Sequence, residues 1–245
     1  MKNKLIVITG ASSGFGYEMA KLFNNKGYSL LLLARREDRL KEITEELNSE
    51  NVMYTKVDVT DFDSMQTAVT AAEAKFGPVD LLVNNAGTML LGDVLNQDRN
   101  EWQTMLDVNV TGVLNGIQIV APQMKAAKTG TIINVSSLAG VKTFGNHAAY
   151  SASKFGVHGI TETVRQELSP FNVRVATISP GAAETELLSH TSSQKIRDGY
   201  VDWKQTMGGS SMDPKAVANS VLYMYELPQN VNIRELQIAP TMQVD

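Results

Sequence analysis

The sequence predicts an α/β protein built on one doubly wound parallel sheet of seven strands, with helices on both faces. Seven short apolar runs alternate with segments of helical apolar spacing along the 245 residues. Some runs, such as residues 29–34, are apolar at almost every position, which is typical of parallel strands covered on both faces. Because the alternation is interrupted by neither repeats nor linkers, we expect a single domain over residues 1–245.

Each element has its own local signal in the first half of the chain. The apolar residues from Met19 to Phe23 have helical spacing, and Gly27 stands where a left-handed helix cap is expected. Asp61 predicts the start of another helix, which Gly77-Pro78 ends. The strands predicted here are 5–8, 29–34, 52–57 and 79–83, with further helices at 37–48 and 61–76.

The second half continues the alternation but contains one long gap. Asp213-Pro214 is typical of an N-cap followed by proline at the first helical position. Residues 182–211 have no regular pattern, and because this stretch is too long for a connection we interpret it as a mobile lid or substrate loop. The elements predicted here are helices at 98–106, 109–127, 148–168 and 213–226, and strands at 131–135, 173–178 and 233–239.

A glycine-rich turn follows the first strand and reads Thr9-Gly10-Ala11-Ser12-Ser13-Gly14-Phe15-Gly16. Strand, glycine turn and helix form the context of a Rossmann-type dinucleotide site. Gly10 would allow the sharp turn, Gly14 the approach of a pyrophosphate, and Gly16 close packing of helix on strand. An ordinary turn between strand and helix stays open as an alternative, whereas a P-loop is excluded because no Gly-Lys-Ser/Thr follows.

Composition and charge exclude several classes of function. The formal net charge of −4, with both signs interspersed, leaves no basic face for nucleic acid. The chain has no cysteine, and its three histidines lack metal-ligand spacing, so we expect no metal. Residues 5–8 are too short for a signal peptide, and no run approaches the roughly 18 apolar residues of a membrane span. We therefore expect a cytoplasmic protein.

A second informative stretch is Tyr150-Ser151-Ala152-Ser153-Lys154. On a helix, positions four apart share a face, so the phenol of Tyr150 and the ammonium of Lys154 can reach the same cleft. A cation within about 4–6 Å lowers the pKa of a phenol by roughly 1–3 units, which prepares it for proton transfer. Two residues on a solvated helix face are the simpler alternative.

Taken together, these features resemble the short-chain dehydrogenase/reductase family in its single-domain form. The resemblance covers nearly the whole chain and has several matches in the right order. These are Thr9-Gly10-x-x-x-Gly14-x-Gly16, Asn84-Asn85-Ala86-Gly87, Ser137 thirteen residues before Tyr150, Tyr150-x-x-x-Lys154, and Pro180-Gly181 with Thr185. The family match implies an enzyme with a nicotinamide cofactor.

The resemblance also implies roles for individual residues. Tyr150 would be the general acid/base, Lys154 would lower its pKa and bind the nicotinamide ribose, and Ser137 would hydrogen-bond the substrate oxygen. Asn109 would hold a water that links Lys154 to solvent. The implied cofactor-binding residues are Gly10, Ser12, Ser13, Gly14, Phe15, Gly16, Arg35, Arg36, Asp58, Val59, Asn85, Ala86, Gly87, Tyr150, Lys154, Pro180, Gly181, Ala183 and Thr185.

Several of these residues also have structural interpretations. Asn109 could cap the helix that follows it, Ser137 could satisfy a strand end, and Thr185 could cap a helix of the lid. Ser136 competes with Ser137, and only the thirteen-residue spacing favours Ser137.

The end of the second strand predicts NADP(H) rather than NAD(H). Enzymes that use NAD usually place an acidic residue there, but this chain has Ala34 followed by Arg35 and Arg36. A guanidinium suits a phosphate dianion in charge and geometry. Alternatively, the arginines cap the strand or pair with Glu37 and Asp38.

The leading hypothesis is an NADP(H)-dependent oxidoreductase that reduces a carbonyl or oxidises a secondary alcohol or 3-hydroxy acid. A reductase of ketoacyl groups on a carrier protein is the nearest alternative among enzymes, although the last strand lacks the Asp-Gly-Gly ending common there. A non-catalytic NADP-binding regulator is an alternative from another class.

The sequence says less about the substrate and the oligomeric state. The expected pocket is mostly apolar, so a charged substrate would need a lid cation such as Lys195, Arg197 or Lys204. The family match favours a homotetramer, because the helix at 148–168 has apolar residues on more than one side and the last strand would be an open edge. The apolar residues in question are Phe155, Val157, Ile160 and Val164.

Overall fold

The computed structural model describes residues 4–207, 209 and 211–244, and the predicted parallel sheet lies at its centre. Its seven strands are short, and five of them are largely or wholly buried, whereas β3 and β7 at the two edges are partly exposed. The strands are β1 (Leu5–Thr9), β2 (Ser29–Ala34), β3 (Val52–Lys56), β4 (Val79–Asn84), β5 (Thr131–Val135), β6 (Arg174–Pro180) and β7 (Glu235–Ile238). Of the site residues predicted from sequence, all lie within the described ranges.

Eight α-helices connect and cover the strands within the described ranges. They are α1 (Gly14–Asn25), α2 (Glu37–Leu47), α3 (Phe62–Phe76), α4 (Arg99–Leu106), α5 (Gly112–Ala127), α6 (Ala148–Leu168), α7 (Gln194–Gln205) and α8 (Pro214–Glu226). Asp61 caps α3 as predicted, since its carboxylate accepts a hydrogen bond from the backbone N–H of Ser64. No helix in the described part of the chain is both long enough and apolar enough to cross a bilayer.

The strand order is β3-β2-β1-β4-β5-β6-β7, and every neighbouring pair is parallel. The chain winds outward from β1 to β3, returns to the centre at β4, and then winds outward the other way. This confirms the predicted doubly wound fold. The reversal lies between β1 and β4, and in sheets of this kind ligands bind beyond the carboxyl ends of the strands at that point.

Alternate residues of each strand pack on opposite faces of the sheet. Ile6 and Ile8 belong to a core completed by α1, α2 and α8, whereas Leu5 and Val7 belong to a second core completed by α3, α5 and α6. Burial on both faces explains why the strands are apolar at nearly every position.

Two predicted regions differ in detail from the structure. Residues 182–211 are not irregular throughout, because residues 186–190 form a 3-10 turn and α7 follows with Ser193 as its N-cap. Ile196, Tyr200 and Trp203 are spaced as on one face of a helix. With so few apolar residues among polar ones, this pattern was too weak to predict α7 from the sequence. The helices α4 and α5 are joined by a π-helical turn over residues 107–111 rather than by a break.

Candidate active site

A cleft of about 1550 Å³ runs along the carboxyl ends of the strands. Almost every site residue predicted from sequence lines it, from Gly10 and Arg36 to Tyr150, Lys154 and Thr185. Gly16 and Asn109 are the exceptions among these residues, and both are buried. We call the region around Gly10, Gly14 and Arg36 the glycine end of the cleft.

The glycine turn is held against the end of β4 by hydrogen bonds. The side-chain amide of Asn85 donates to the backbone oxygens of Thr9 (2.9 Å) and Gly10 (3.2 Å). In return, the Thr9 hydroxyl accepts from the backbone N–H groups of Asn85 and Ala86, each at 2.9 Å. The stretch Asn84 to Gly87 therefore fixes the shape of the turn as well as lining the cleft.

Two glycines of the turn have no room for a side chain. Gly10 has φ +64°, and a Cβ there would lie 2.8 Å from the Cα of Ala86. A Cβ at Gly16 would overlap the backbone oxygen of Gly10, because α1 packs directly on the turn. The turn therefore packs closely against both α1 and the end of β4, and we call the space of the cleft in front of it the hollow.

Arg36 spans this hollow. Its Nε and Nη2 donate to the Ser12 hydroxyl at 3.2 and 3.1 Å, and Nη2 also donates to the Ser13 hydroxyl at 2.8 Å. Its Nη1 pairs with Glu186 at 2.8 Å, so the expected alternative partners Glu37 and Asp38 are not the ones it uses. The neighbouring Arg35 lines the same cleft, and both arginines are exposed.

Residues 185–190 lie across the glycine end. A Cβ on Gly14 would come within 3.3 Å of the Thr185 side chain, so Thr185 rests over the turn. The Thr185 hydroxyl accepts from the backbone N–H of Leu187, which agrees with the capping alternative, although the helix it caps is only a 3-10 turn. His190 reaches the Thr88 hydroxyl at 3.3 Å on the other side of the cleft.

Tyr150 is buried at the middle of the cleft. Burial raises the pKa of its phenol, while a hydrogen bond from Ser137 acts in the opposite direction on that pKa. Ser136 instead donates to the backbone oxygen of Lys154 at 3.2 Å and is buried. The contacts therefore bring Ser137, rather than Ser136, to Tyr150.

Lys154 lies behind the Tyr150 ring, with its Nζ 5.8 Å from the ring centroid. The Nζ donates to the backbone oxygen of Val135 at 3.0 Å, and burial lowers the pKa of Lys154 from 10.5 to about 8. Burial is the largest effect on both side chains in the cofactor-free protein. The expectation that Lys154 lowers the pKa of Tyr150 stays a prediction for the cofactor-bound state.

Asn109 sits in the π-helical turn and joins three elements. Its Oδ1 accepts from the backbone N–H of Thr88 at 2.8 Å, and its Nδ2 donates to the Thr88 oxygen at 2.9 Å and the Ser153 hydroxyl at 3.0 Å. It does not cap α5, whose N-terminus continues from the π-helical turn. Asn109 thus fastens the segment after β4 to α6 one residue before Lys154.

Gln243 was not predicted as a site residue from the sequence. Its Oε1 accepts from the backbone N–H of Ala182 at 2.9 Å, and a Cβ at Gly181 would overlap this amide. Gln243 therefore holds the backbone just after β6, and it lines the cleft. It lies 61 residues from Ala182 in sequence, and no local pattern marks it.

Four aromatic rings line the cleft beyond Tyr150, and we call this region the aromatic end. His147 lies 6.1 Å from Tyr150, 5.5 Å from Phe144 and 6.4 Å from Tyr200, measured between ring centroids. Trp203 lies 5.1 Å from Tyr200 and 6.3 Å from Phe144. Tyr200 and Trp203 come from α7.

The histidines lie apart from one another in this arrangement. His147 and His190 line different parts of the cleft, and His158 contacts the Ser179 hydroxyl at 3.3 Å. Burial lowers the pKa of all three imidazoles, which favours their neutral forms. Among the described residues, no group of three or more His, Cys, Asp and Glu side chains is placed to hold a metal ion.

Comparison with known proteins gives matches along nearly the whole chain. The family model described as short chain dehydrogenase matches residues 4–196. An uncharacterised oxidoreductase from Staphylococcus saprophyticus is 38% identical over 245 residues, covering 99% of this chain and 98% of the relative. An uncharacterised oxidoreductase from Listeria monocytogenes is 37% identical over 247 residues, covering 99% and 98% of the two chains.

Solved structures with the same fold include two complexes with nicotinamide cofactors. The closed form of a serine dehydrogenase complexed with NADP+ has a TM-score of 0.91 at 30% identity, covering 98% of this chain and 96% of that one. An alcohol dehydrogenase from the archaeon Thermococcus sibiricus, complexed with 5-hydroxy-NADP, has a TM-score of 0.86 at 27% identity, covering 99% and 98%.

Proposed function

The chain belongs to the short-chain dehydrogenase family, and we propose that it is an NADP(H)-dependent oxidoreductase that interconverts a carbonyl compound and the matching secondary alcohol. The observation that carries this proposal is one cleft that holds both the glycine turn and the group Ser137, Tyr150 and Lys154. A nucleotide-binding regulator would need the glycine turn but not a buried tyrosine and lysine beside it. The similarity to oxidoreductases over the whole chain supports the same choice.

The residues at the glycine end fit NADP(H). Side chains at Gly10 and Gly16 would clash with packed backbone, so glycine at these positions lets the turn lie close to the N-terminus of α1, whose backbone N–H groups suit a pyrophosphate. Arg36 supplies a guanidinium at the end of β2, where no acidic residue stands to accept from a ribose 2′-hydroxyl. The residues that would hold the cofactor are Gly10, Ser12, Ser13, Gly14, Phe15, Gly16, Arg35, Arg36, Asp58, Val59, Asn85, Ala86, Gly87, Tyr150, Lys154, Pro180, Gly181, Ala183 and Thr185.

When bound, NADPH supplies the hydride that the carbonyl carbon gains as its C=O π bond breaks. The substrate oxygen needs a proton at the same time, and Tyr150 is the residue proposed to give it. Ser137 hydrogen-bonds to Tyr150 and would position the substrate oxygen beside the phenol. In the direction of oxidation, Tyr150 would take the proton from the alcohol.

Lys154 and Asn109 are proposed to act behind Tyr150. At pH 7 a lysine with a pKa of about 8 is mostly charged, so Lys154 can stabilise the phenolate that remains after proton transfer. Asn109 fixes the neighbouring Ser153 and the backbone at Thr88, and we propose that it also holds a water between Lys154 and solvent. Such a water would return a proton to the site after each turnover.

Residues 182–211 are proposed to act as a lid over the substrate. Thr185 and His190 already bridge the cleft in the described structure. Hydrogen exchange in this segment should be fast in the free protein and slow once NADP+ and a substrate analogue bind. Uniformly slow exchange in the free protein would contradict a mobile lid.

A homotetramer is proposed from the exposed apolar surface. Val157 is buried and Ile160 and Val164 pack on the sheet core, so of the four residues on α6 only Phe155, 44% exposed, is left for an interface. Leu114 on α5 is exposed as well, and β7 forms an edge of the sheet. Light scattering that gave a mass near 26.7 kDa would contradict this proposal.

The function is tested by replacing Tyr150 with Phe. The ring would still pack, but the proton donor is lost, so carbonyl reduction should fall by about 10²–10⁴-fold. Fluorescence titration should give an NADPH affinity within a few-fold of the unmodified protein. Turnover within tenfold of the unmodified protein would mean that another residue supplies the proton.

A further inference from the structure

The aromatic end of the cleft is assembled by α7. Tyr200 and Trp203, one helical turn apart on α7, face Phe144 and His147, whose loop precedes α6. Tyr200 is partly buried, and desolvation raises its pKa to about 12, so its phenol stays neutral. The rings meet at steep angles of 59° and 67° where Trp203 contacts Tyr200 and Phe144. A substrate ring that packed against these side chains would gain the same kind of aromatic contact.

Aliphatic side chains complete this part of the wall. They form, with Tyr150, a separate apolar cluster that does not belong to either face of the sheet. Leu187, Leu188 and Ile196 come from the segment that crosses the cleft, and Met89 and Leu91 come from the stretch after β4. Tyr150 is therefore surrounded by a largely apolar set of side chains on this side of the cleft.

The cations that a carboxylate substrate would need are largely committed elsewhere. Lys204 pairs with Glu184 at 2.6 Å. Arg197 donates to the backbone oxygens of Thr191 and Ser192 and to the side chain of Gln194. Lys195, at the start of α7, lines the cleft but is exposed, so water screens its charge. Burial of His147 favours its neutral form, so it adds no positive charge.

Carboxylates, by contrast, line this cleft in number. Asp93, Asp98, Glu101 and Glu184 are all among its lining residues. Glu101 accepts hydrogen bonds from Ser192 and Gln97, and these bonds hold its carboxylate in place beside the cleft. These four carboxylates outnumber Lys195 and the paired Lys204, which line the same cleft, and a substrate carboxylate would also have to give up its hydration for an apolar wall.

We propose that the aromatic end selects an uncharged carbonyl compound with an aromatic ring next to the carbonyl, or the matching aryl alcohol, over hydroxy acids and oxo acids. The inference rests on the proposed function and deepens it. The overall reaction balances as aryl ketone plus NADPH plus H+ giving aryl alcohol plus NADP+. The ring would pack against Tyr200 and Trp203 while the carbonyl oxygen meets Tyr150.

The first test compares three carbonyl compounds with NADPH. Acetophenone carries the ring, 2-butanone is uncharged without a ring, and acetoacetate carries a carboxylate. We expect kcat/KM for acetophenone to exceed that for 2-butanone by at least about tenfold, since each ring contact contributes about two- to tenfold. It should exceed that for acetoacetate by about a hundredfold or more, because an unpaired carboxylate is costly to desolvate. Equal or better reduction of acetoacetate overturns the proposal.

Single-residue variants test whether Trp203 causes the preference for acetophenone. Trp203→Leu should lower kcat/KM for acetophenone about tenfold and leave 2-butanone within twofold. Trp102→Leu is the matched control, because Trp102 packs against the apolar cluster that contains Tyr150 and Tyr200 but lies outside the cleft lining. A Trp203→Leu effect that is equal for both ketones contradicts selection by the ring. Lys195→Ala should leave the ratio of acetophenone to acetoacetate unchanged, and a selective loss of acetoacetate reduction would overturn the proposal.

Binding separates this inference from the proposed function. The chain has two tryptophans, so Trp102→Phe leaves Trp203 as the sole tryptophan reporter. With NADP+ present, 1-phenylethanol should quench Trp203 fluorescence saturably and 3-hydroxybutyrate should not. If no carbonyl is reduced but this pattern holds, the proposed reaction is wrong and the selection of ligand stands. Saturable quenching by 3-hydroxybutyrate alone would reject the selection.

Discussion

The glycine end and the aromatic end of the cleft are held together by different kinds of contact. At the glycine end, Thr9 and Asn85 exchange hydrogen bonds that fix backbone atoms of the turn. At the aromatic end, Tyr200 and Trp203 meet Phe144 through ring contacts of about 5–6 Å. Backbone bonds fix positions closely, whereas ring contacts permit several arrangements. The comparison indicates that the glycine end is rigid, whereas the aromatic end can adapt to different ligands.

The largest expected difference comes from one glycine at each end. Gly10→Ala forces a side chain into a left-handed backbone 2.8 Å from the Ala86 Cα, so the free energy of unfolding should fall by about 2–5 kcal/mol. NADPH affinity should fall as well. Denaturant unfolding and fluorescence titration measure the two effects.

Gly199→Ala on α7 is the matched change at the other end. A Cβ there would meet no described atom within 4 Å beyond its own helix, so stability should rise by about 0.5–1 kcal/mol. NADPH affinity should stay the same. If both alanines had equal effects, the two ends would not differ in rigidity.

Lys154 lies between the two ends, and its burial predicts a pH-dependent stability. Its pKa of about 8 in the folded protein is below the ordinary 10.5, so the unfolded chain holds the proton more tightly. The contribution of Lys154 to stability is therefore fully present above pH 10.5 and is lost as pH falls through about 8. Relative to Lys154→Met, the cofactor-free protein should gain about 3 kcal/mol between pH 7 and pH 10.5. If the free energy of unfolding changed with pH in the same way in both proteins, Lys154 would be solvated rather than buried.

The two arginines after β2 test how closely the glycine end is fixed. Both arginines are exposed, but Arg36 is held beside the glycine turn by Ser12 and Ser13, so Arg36→Ala should cause most of the loss in preference for NADPH over NADH. A charge-assisted hydrogen bond contributes about 1.5–3 kcal/mol, which corresponds to roughly ten- to a hundredfold in affinity. Arg35→Ala is the matched variant, with a smaller expected effect. A larger loss from Arg35→Ala would indicate that Arg35, rather than Arg36, binds the 2′-phosphate.

The smallest expected effect is a gain. Glu186 occupies the Nη1 of Arg36 and would repel a 2′-phosphate, so Glu186→Gln should tighten NADPH binding while leaving NADH unchanged. Exposed ion pairs contribute about 0.2–1 kcal/mol, so the gain should be about 1.5- to fivefold. Glu184→Gln, which breaks the pair with Lys204 instead, controls for the loss of a charge near the cleft. Equal gains from both changes would point to a general charge effect.

The glycine end was predictable because its signals are local in sequence. Gly10, Gly14 and Gly16 stand in one turn, and Tyr150 and Lys154 lie on one helical face, so spacing alone brought them together. Local spacing left two pairs open, and contacts made by distant residues distinguish their members. Ser137 rather than Ser136 meets Tyr150, and Arg36 rather than Arg35 meets the serines of the turn.

The aromatic end was not predictable in the same way. Tyr200 and Trp203 reach Phe144 only because α7 folds back over the cleft, and nothing near Phe144 in sequence indicates that contact. Gln243 supports the Ala182 backbone from after the last strand, and a single glutamine carries no pattern. Contacts of this kind depend on tertiary packing, which sequence periodicity does not encode.

The π-helical turn at residues 107–111 has a consequence for how this sequence can change in length. A π-turn accommodates one residue more than an α-helix needs, and here the extra residue turns Asn109 toward Thr88 and Ser153. Deleting one residue would let α4 and α5 merge into a regular helix with its hydrogen-bond ladder restored. The same deletion would shift every earlier position by about 100° around the axis and remove Asn109 from its partners. A regular helix therefore favours the chain one residue shorter, whereas the site needs the extra residue. Substitutions should be tolerated along this helix far more readily than a single-residue deletion.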